Sequence, residues 1–121
     1  MKKPIATFDA FGTFDVVVVP FPYADRLAEK RRPALVVSVP KVTTNYGLVW
    51  LVMITSAANP RLDYDVVVND LDAAGLPAPS LVRPVKIATV DSRRIIRTIG
   101  NLGAADVNCV KINLLRLIGA Q

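Results

Sequence analysis

The sequence predicts a mainly-β domain: a small, strongly bent antiparallel sheet or barrel covered by one C-terminal helix. Three observations predict it. Short β-branched and aliphatic runs recur along the chain, bounded by turn residues. Only the last segment carries apolar residues at helical spacing. The 121 residues, 52% of them hydrophobic, suffice for one domain with a real core and argue against disorder.

The elements follow in order. Residues Met1–Thr13 form a leader with no assigned role inside a single domain spanning 1–121. "DVVVVP" (Asp15–Pro20) reads as a buried strand closed by the turn "PFPYAD". "PALVVSV" (Pro33–Val39), "GLVWLVMIT" (Gly47–Thr55) and "YDVVV" (Tyr64–Val68) read as the second, third and fourth strands. "NDLDAAGLPAPS" holds turn residues and at most a short helical turn. "LVRPVKIATV" (Leu81–Val90) reads as extended pieces broken by Pro84, "SRRI" as one helical turn, and "IRTIGNL" as extended chain. From Ala104, residues Val107, Val110, Leu114 and Ile118 follow helical spacing, widened by Leu115 and Leu117. Asp106 in the first turn and Arg116 near the end suit the helix dipole. On the third strand both faces are apolar, Val49, Leu51 and Met53 on one and Leu48, Trp50 and Val52 on the other. One face covers the core, and the other needs the terminal helix or a second subunit.

Composition excludes several classes. The single cysteine, Cys109, forbids an internal disulfide, and without histidine it cannot join a tetrahedral zinc site. A reducing cytoplasm fits. "MKK" looks like the start of a secretory signal, but Asp9 and Asp15 interrupt the stretch after it, so no apolar signal core exists. The longest uncharged apolar stretch, Tyr46–Ala58, is too short to span a membrane. A net charge of +5 suits a polyanionic partner without proving one. No phosphate-binding glycine loop of the GxxxxGK type and no GxSxG elbow occur. Asp63, Asp65, Asp70 and Asp72 invite a magnesium reading, but strand alternation and turn preference account for them better.

Two features carry chemistry. "EKRRP" sets three cations, Lys30, Arg31 and Arg32, against the start of the second strand. "ITS" (Ile54–Ser56) ends the third. In an antiparallel sheet the start of one strand neighbours the end of the next, so a guanidinium and two hydroxyls can share one sheet end. Arginine's rigid fork of donors matches phosphate oxygens. Ordinary solvated strand ends are the bland alternative.

These residues also carry a resemblance. "DVVVVPFPYAD", "KRRPALVVS", "MITSAANP" and "GLPAPSLVRPVKIATVDSRRIIRTIGNL", in that order, resemble the PemK/MazF family of toxins from type II toxin–antitoxin systems. The resemblance runs from about Phe14 to the C-terminus. It implies an SH3-like barrel with a C-terminal helix, a homodimer, and metal-independent endoribonuclease cleavage of single-stranded RNA with no cofactor. It places the family's catalytic arginine on Arg32 and its threonine on Thr55, with Ser56 beside it. Lys30, Arg31, Arg61, Arg83 and Lys86 would bind RNA, and an acidic antitoxin segment would compete for the same groove. Such metal-free cleavage uses the ribose 2′-hydroxyl as nucleophile, which selects RNA over DNA. Asp15, Asp25 and Glu29 are the candidate bases, and Arg32 through a water or a Thr55 relay the candidate acids. One departure stands out: the family commonly has Gly-Asp where this chain has Phe14-Asp15. Glycine there permits an unusual backbone angle or a close approach.

Two other readings differ in class. One is a toxin-fold module that binds RNA or an antitoxin without cutting. The other is a topoisomerase poison like the CcdB-like relatives, which act through a C-terminal aromatic-containing tail. Here the chain ends "LLRLIGAQ", and the only tryptophan, Trp50, lies in the third strand.

Overall fold

A computed structural model describes residues 11–20 and 30–119. The turn after Pro20, the candidate bases Asp25 and Glu29 and most of the leader lie outside the described residues. Among the described residues, six strands and three short or medium helices follow one another. They are β1 (Asp15–Pro20), β2 (Arg31–Val36), α1 (Pro40–Tyr46), β3 (Leu48–Ser56), β4 (Val66–Val67), α2 (Leu71–Ala74), β5 (Ser80–Asp91), β6 (Arg97–Asn101) and α3 (Ala104–Leu117). A 3-10 turn, Ser92–Arg94, joins β5 to β6.

The strands form one antiparallel sheet in the order β4-β5-β3-β2-β1-β6. Period-two alternation gives each face of the curled sheet its own core. Val17, Val19, Ala34, Val36, Val49 and Leu51 pack together inside the curl. Val16, Leu35, Val52 and Ile54 point the other way, where Val110 of α3 and Ala74 of α2 cover them. Fully burying one such side chain is worth about 1.5–3 kcal/mol, so both faces contribute to stability. The expectation of two apolar faces on β3 therefore holds, with α3 covering Val52 but not Trp50 or Leu48, which stay exposed. The terminal helix is as expected at its centre. Its end is not: Leu115, Leu117 and Ile118 are exposed.

Three elements differ from the sequence expectation. Helix α1 is an addition to it. Pro40 occupies its first turn, Gly47 ends it at φ 68°, and Thr43 Oγ1 donates to the Leu48 carbonyl. The fourth strand shrinks to Val66–Val67, because Tyr64 turns the chain at φ 71° and Asp65 is drawn into the interior. The pieces expected around Pro84 are one 12-residue strand. Its register against β3 jumps from Ile87 opposite Val52 to Arg83 opposite Met53, so Pro84 sits in a bulge that asks no ladder N–H of it.

The entry to β1 is built tightly. Phe14 adopts φ 71°, the left-handed region that a glycine occupies without strain. Its N–H donates to the Val36 carbonyl and its own carbonyl accepts from Leu102 N–H. The ring packs on the helix-covered core. The first described residues are also fastened: Phe11 packs on the inner core, and Thr13 Oγ1 donates to the Ser38 carbonyl.

Candidate active site

The ladder between β2 and β3 pairs Ala34 with Met53. Arg32 and Thr55 lie two residues past that last pair, one on each strand. There the strands part into a cleft of ≈ 190 Å³. Arg32, Pro33, Ile54, Thr55 and Ser56 line one side of it, and the segment Leu76–Ser80 lines the other. Arg32 is half-buried, Thr55 buried and Ser56 exposed. Arg32 is held by pairing with Val19 on β1, and Pro33 behind it pairs with Val18. The three residues expected to share one sheet end thus share one cleft.

The hydroxyls are not equivalent. Ser56 Oγ accepts from Ala58 N–H at 3.1 Å, closing the turn that leaves β3. Thr55 Oγ1 accepts from Asn59 Nδ2 at 2.7 Å. Sequence reasoning missed Asn59, because the turn pattern "SAANP" accounts for an asparagine without invoking its side chain. It also read "GLPAPS" as a turn, whereas Leu76–Ser80 forms a wall of the cleft.

The cations divide into two groups. Lys30 and Arg31 are exposed next to Arg32, and Lys86 is exposed in the β5 bulge. Arg61 is exposed, but its guanidinium donates to the Asp65 carbonyl within its own loop. Arg83 requires a correction. Expected to bind RNA, it is buried, and its guanidinium is bound to both Asp65 oxygens and to the Pro60 carbonyl. Its charge is spent inside the protein, holding the loop after β3.

Three described carboxylates make structural hydrogen bonds. Asp15 accepts from Gly12 N–H and from Asn101 Nδ2, which ties β1 to β6. Asp106 accepts from both nitrogens of Asn69, pinning the start of α3. Asp70 caps α2 by accepting from Ala73 N–H. Among the described residues, no three His, Cys, Asp or Glu side chains come together as a metal site. No helix among them is long and apolar enough to cross a membrane.

Comparison with known proteins agrees with this fold. The chain resembles, in its fold, the MazF crystal structure from Deinococcus radiodurans (24% identity, TM-score 0.73, 92% of this chain and 98% of that one). It is similar to an endoribonuclease from mycobacterial species (20% identity, TM-score 0.70, 93% and 94% covered). It is similar, too, to a mycobacterial endoribonuclease in complex with its cognate antitoxin (18% identity, TM-score 0.73, 93% and 97% covered). No curated protein sequence matches it significantly. The family model of the PemK-like, MazF-like toxin of type II toxin–antitoxin systems matches residues 13–118, so the chain belongs to that toxin family.

Proposed function

We propose that this toxin is a cytoplasmic endoribonuclease that cuts single-stranded RNA without a metal ion, acts as a homodimer, and is restrained by an antitoxin with an acidic segment. The observation that carries the reading is the convergence of Arg32 and Thr55 on one cleft at the parting of β2 and β3. The names of the similar structures, endoribonucleases and antitoxin complexes, support it.

The chemistry suits the donors present. The ribose 2′-oxygen forms a bond to the adjacent phosphorus, and the bond from phosphorus to the 5′-oxygen breaks. The 2′-proton passes to a base, and the departing oxygen gains a proton. The products are a cyclic phosphate and a 5′-hydroxyl. In between, the phosphorane carries extra negative charge on its equatorial oxygens. Arg32 donates there with a planar fork, and Thr55 with one hydroxyl proton. A preorganised donor of this kind is worth roughly 10²–10³ in rate. The candidate bases are Asp15, whose carboxylate accepts from Gly12 and Asn101, together with Asp25 and Glu29. Lys30 and Arg31, exposed beside the cleft, supply phosphate contacts to flanking nucleotides.

The dimer reading is supported by an exposed apolar strip. Trp50 on β3 and Ile87 on β5 share one shallow hollow, with Leu48 further along β3 and Val85 further along β5, all solvent-exposed. Incubation with a mixed-sequence RNA in EDTA tests the function. Cleavage to fragments ending in a cyclic phosphate is the expected result. Intact RNA, or cleavage only after magnesium is added, would overturn it.

A further inference from the structure

The loop that leaves β3 does more than connect strands. Ala57 N–H donates to the Pro79 carbonyl, and Asn59 N–H to the Ser56 carbonyl. Arg83 holds the Pro60 carbonyl at 2.8 Å. Leu62 N–H donates to Asp65, whose carboxylate is itself gripped by Arg83. The backbone on both sides of Asn59 is therefore tied down, and its carboxamide is delivered to a fixed place. That place is Thr55 Oγ1, 2.7 Å from Asn59 Nδ2.

The polarity of this contact matters. A threonine hydroxyl has one proton and two lone pairs, whereas an amide nitrogen only donates. Asn59 therefore fills one lone pair of Thr55 and turns the hydroxyl proton away from itself. The proton is left to serve an acceptor in the cleft. We propose that Asn59 is a positioning residue, which sets the Thr55 hydroxyl as a donor aimed at the phosphate of the substrate. The proposal rests on the endoribonuclease reading, and it assigns Asn59 no contact with RNA. The buried Arg83–Asp65 pair belongs to the same device, because it anchors the loop that presents Asn59. A hydroxyl already oriented before substrate arrives needs no reorganisation in the transition state.

Reversal of the polarity tests the idea. Asn59→Asp keeps the shape but offers only acceptors, so the Thr55 proton turns to the carboxylate and away from the cleft. With a defined single-stranded RNA, kcat should fall by at least about tenfold, with an unchanged thermal midpoint. Asn59→Ala, which frees the hydroxyl without capturing it, should lose less. Charge repulsion of RNA by the new carboxylate would appear in KM, whereas the orientation effect appears in kcat. Adding N59D to a Thr55→Val background separates them again. If Asn59 acts through Thr55, kcat falls no further in that background. A wild-type protein that leaves RNA intact would overturn the nuclease reading and this one together. A wild type that cleaves beside an N59D variant of equal kcat, or an N59D loss that persists in the T55V background, would overturn this one alone.

Discussion

Arg83 and Asp65 form a buried ion pair, 2.9 Å from guanidinium nitrogen to carboxylate oxygen, that fastens the loop after β3 to the first third of β5. The Asp65 side chain is wholly buried. Removing one partner of such a pair strands the other charge in the interior, at a cost of about 3–5 kcal/mol. Arg83→Ala should therefore lower the unfolding free energy read from a urea titration, by an amount near the low end of that range, since Leu62 N–H still serves Asp65. The salt slope of RNA binding should not change, because the Arg83 guanidinium is already engaged by Asp65 and the Pro60 carbonyl. Lys30→Ala or Arg31→Ala should leave stability alone and reduce that slope by about 0.7 each. An Arg83→Ala protein of native stability with a shallower slope would restore it to the RNA-binding set.

Arg32 lines the cleft beside Thr55, and the proposed mechanism gives its guanidinium the catalytic role. Arg32→Ala should reduce cleavage by a factor on the order of 10² or more while the fold persists. Arg32→Lys should recover only part of the loss, because a point charge replaces a two-pronged donor. Single-turnover cleavage at saturating protein reads this directly. Wild-type rates in both variants would remove Arg32 from the mechanism.

Phe14 holds a left-handed backbone angle while its ring packs on the core. The two effects oppose each other. A side chain in that region costs roughly 1–2 kcal/mol, and glycine avoids the cost. Phe14→Ala loses the packing and keeps the strain, whereas Phe14→Gly loses the packing and relieves it. The glycine variant should be the more stable of the two by about 1 kcal/mol, with the wild type above both. Denaturant titrations that rank alanine at or above glycine would show that the backbone angle is not held in solution.

Phe14 also shows what the sequence could and could not reveal. Comparison with the Gly-Asp pattern points to a special backbone angle there, and the chain keeps that angle without the glycine. The strands β1, β2 and β3 are legible because their β-branched runs are long enough to declare a period. Arg32 and Thr55 are legible because strand ends are fixed by the same runs. Helix α1 is not, since Val42, Thr43 and Thr44 favour strand locally and only Pro40 and Gly47 mark its ends. Arg83 misleads for a different reason. A lone cation beside a proline gives no sign that Asp65, far away in sequence, will be folded against it. Asn59 escapes notice in the same way, because a side-chain contact inside a turn leaves no periodic trace.

Asp91 and Arg93 meet at the surface, where the Asp91 carboxylate accepts from Arg93 Nη2 at 2.7 Å. The Arg93 side-chain hydrogen bond, followed by the Arg93 backbone N–H, pulls the Asp91 carboxyl down to about 2 from an ordinary 3.8. The folded value is the lower one. The pair therefore contributes fully above the ordinary carboxylate range, and its contribution is lost as pH falls toward 2. Titration of the Asp91 carboxyl by NMR should show its midpoint near 2, and Arg93→Ala should move it back up toward 3.8. A midpoint that does not move in the variant would mean that the contact is not formed in solution.

The dimer surface yields to a similar test. Trp50 is 46% exposed and Ile87 56% exposed on neighbouring strands, and they line one shallow hollow with Ala88 and Thr89. Leu48 and Val85 extend the strip along the same two strands. Helix α3 covers Val52 and Val82 but leaves these residues to solvent. A buried tryptophan often dominates the energy of an interface, and a charge placed at its centre has no partner once desolvated. Trp50→Glu with Ile87→Glu should therefore turn a dimer into a folded monomer, at concentrations on the order of tens of micromolar, where a stable interface holds two chains together. Sedimentation measures the mass, and an unchanged unfolding midpoint at low protein concentration shows that the fold survives. If the RNA groove spans both chains, the monomer should lose affinity for RNA, seen in KM, more than it loses kcat. A wild type that sediments as a monomer would remove the dimer altogether. A double variant that remains dimeric would place the interface elsewhere, with the exposed Leu115 and Ile118 of the α3 end as the next surface to test.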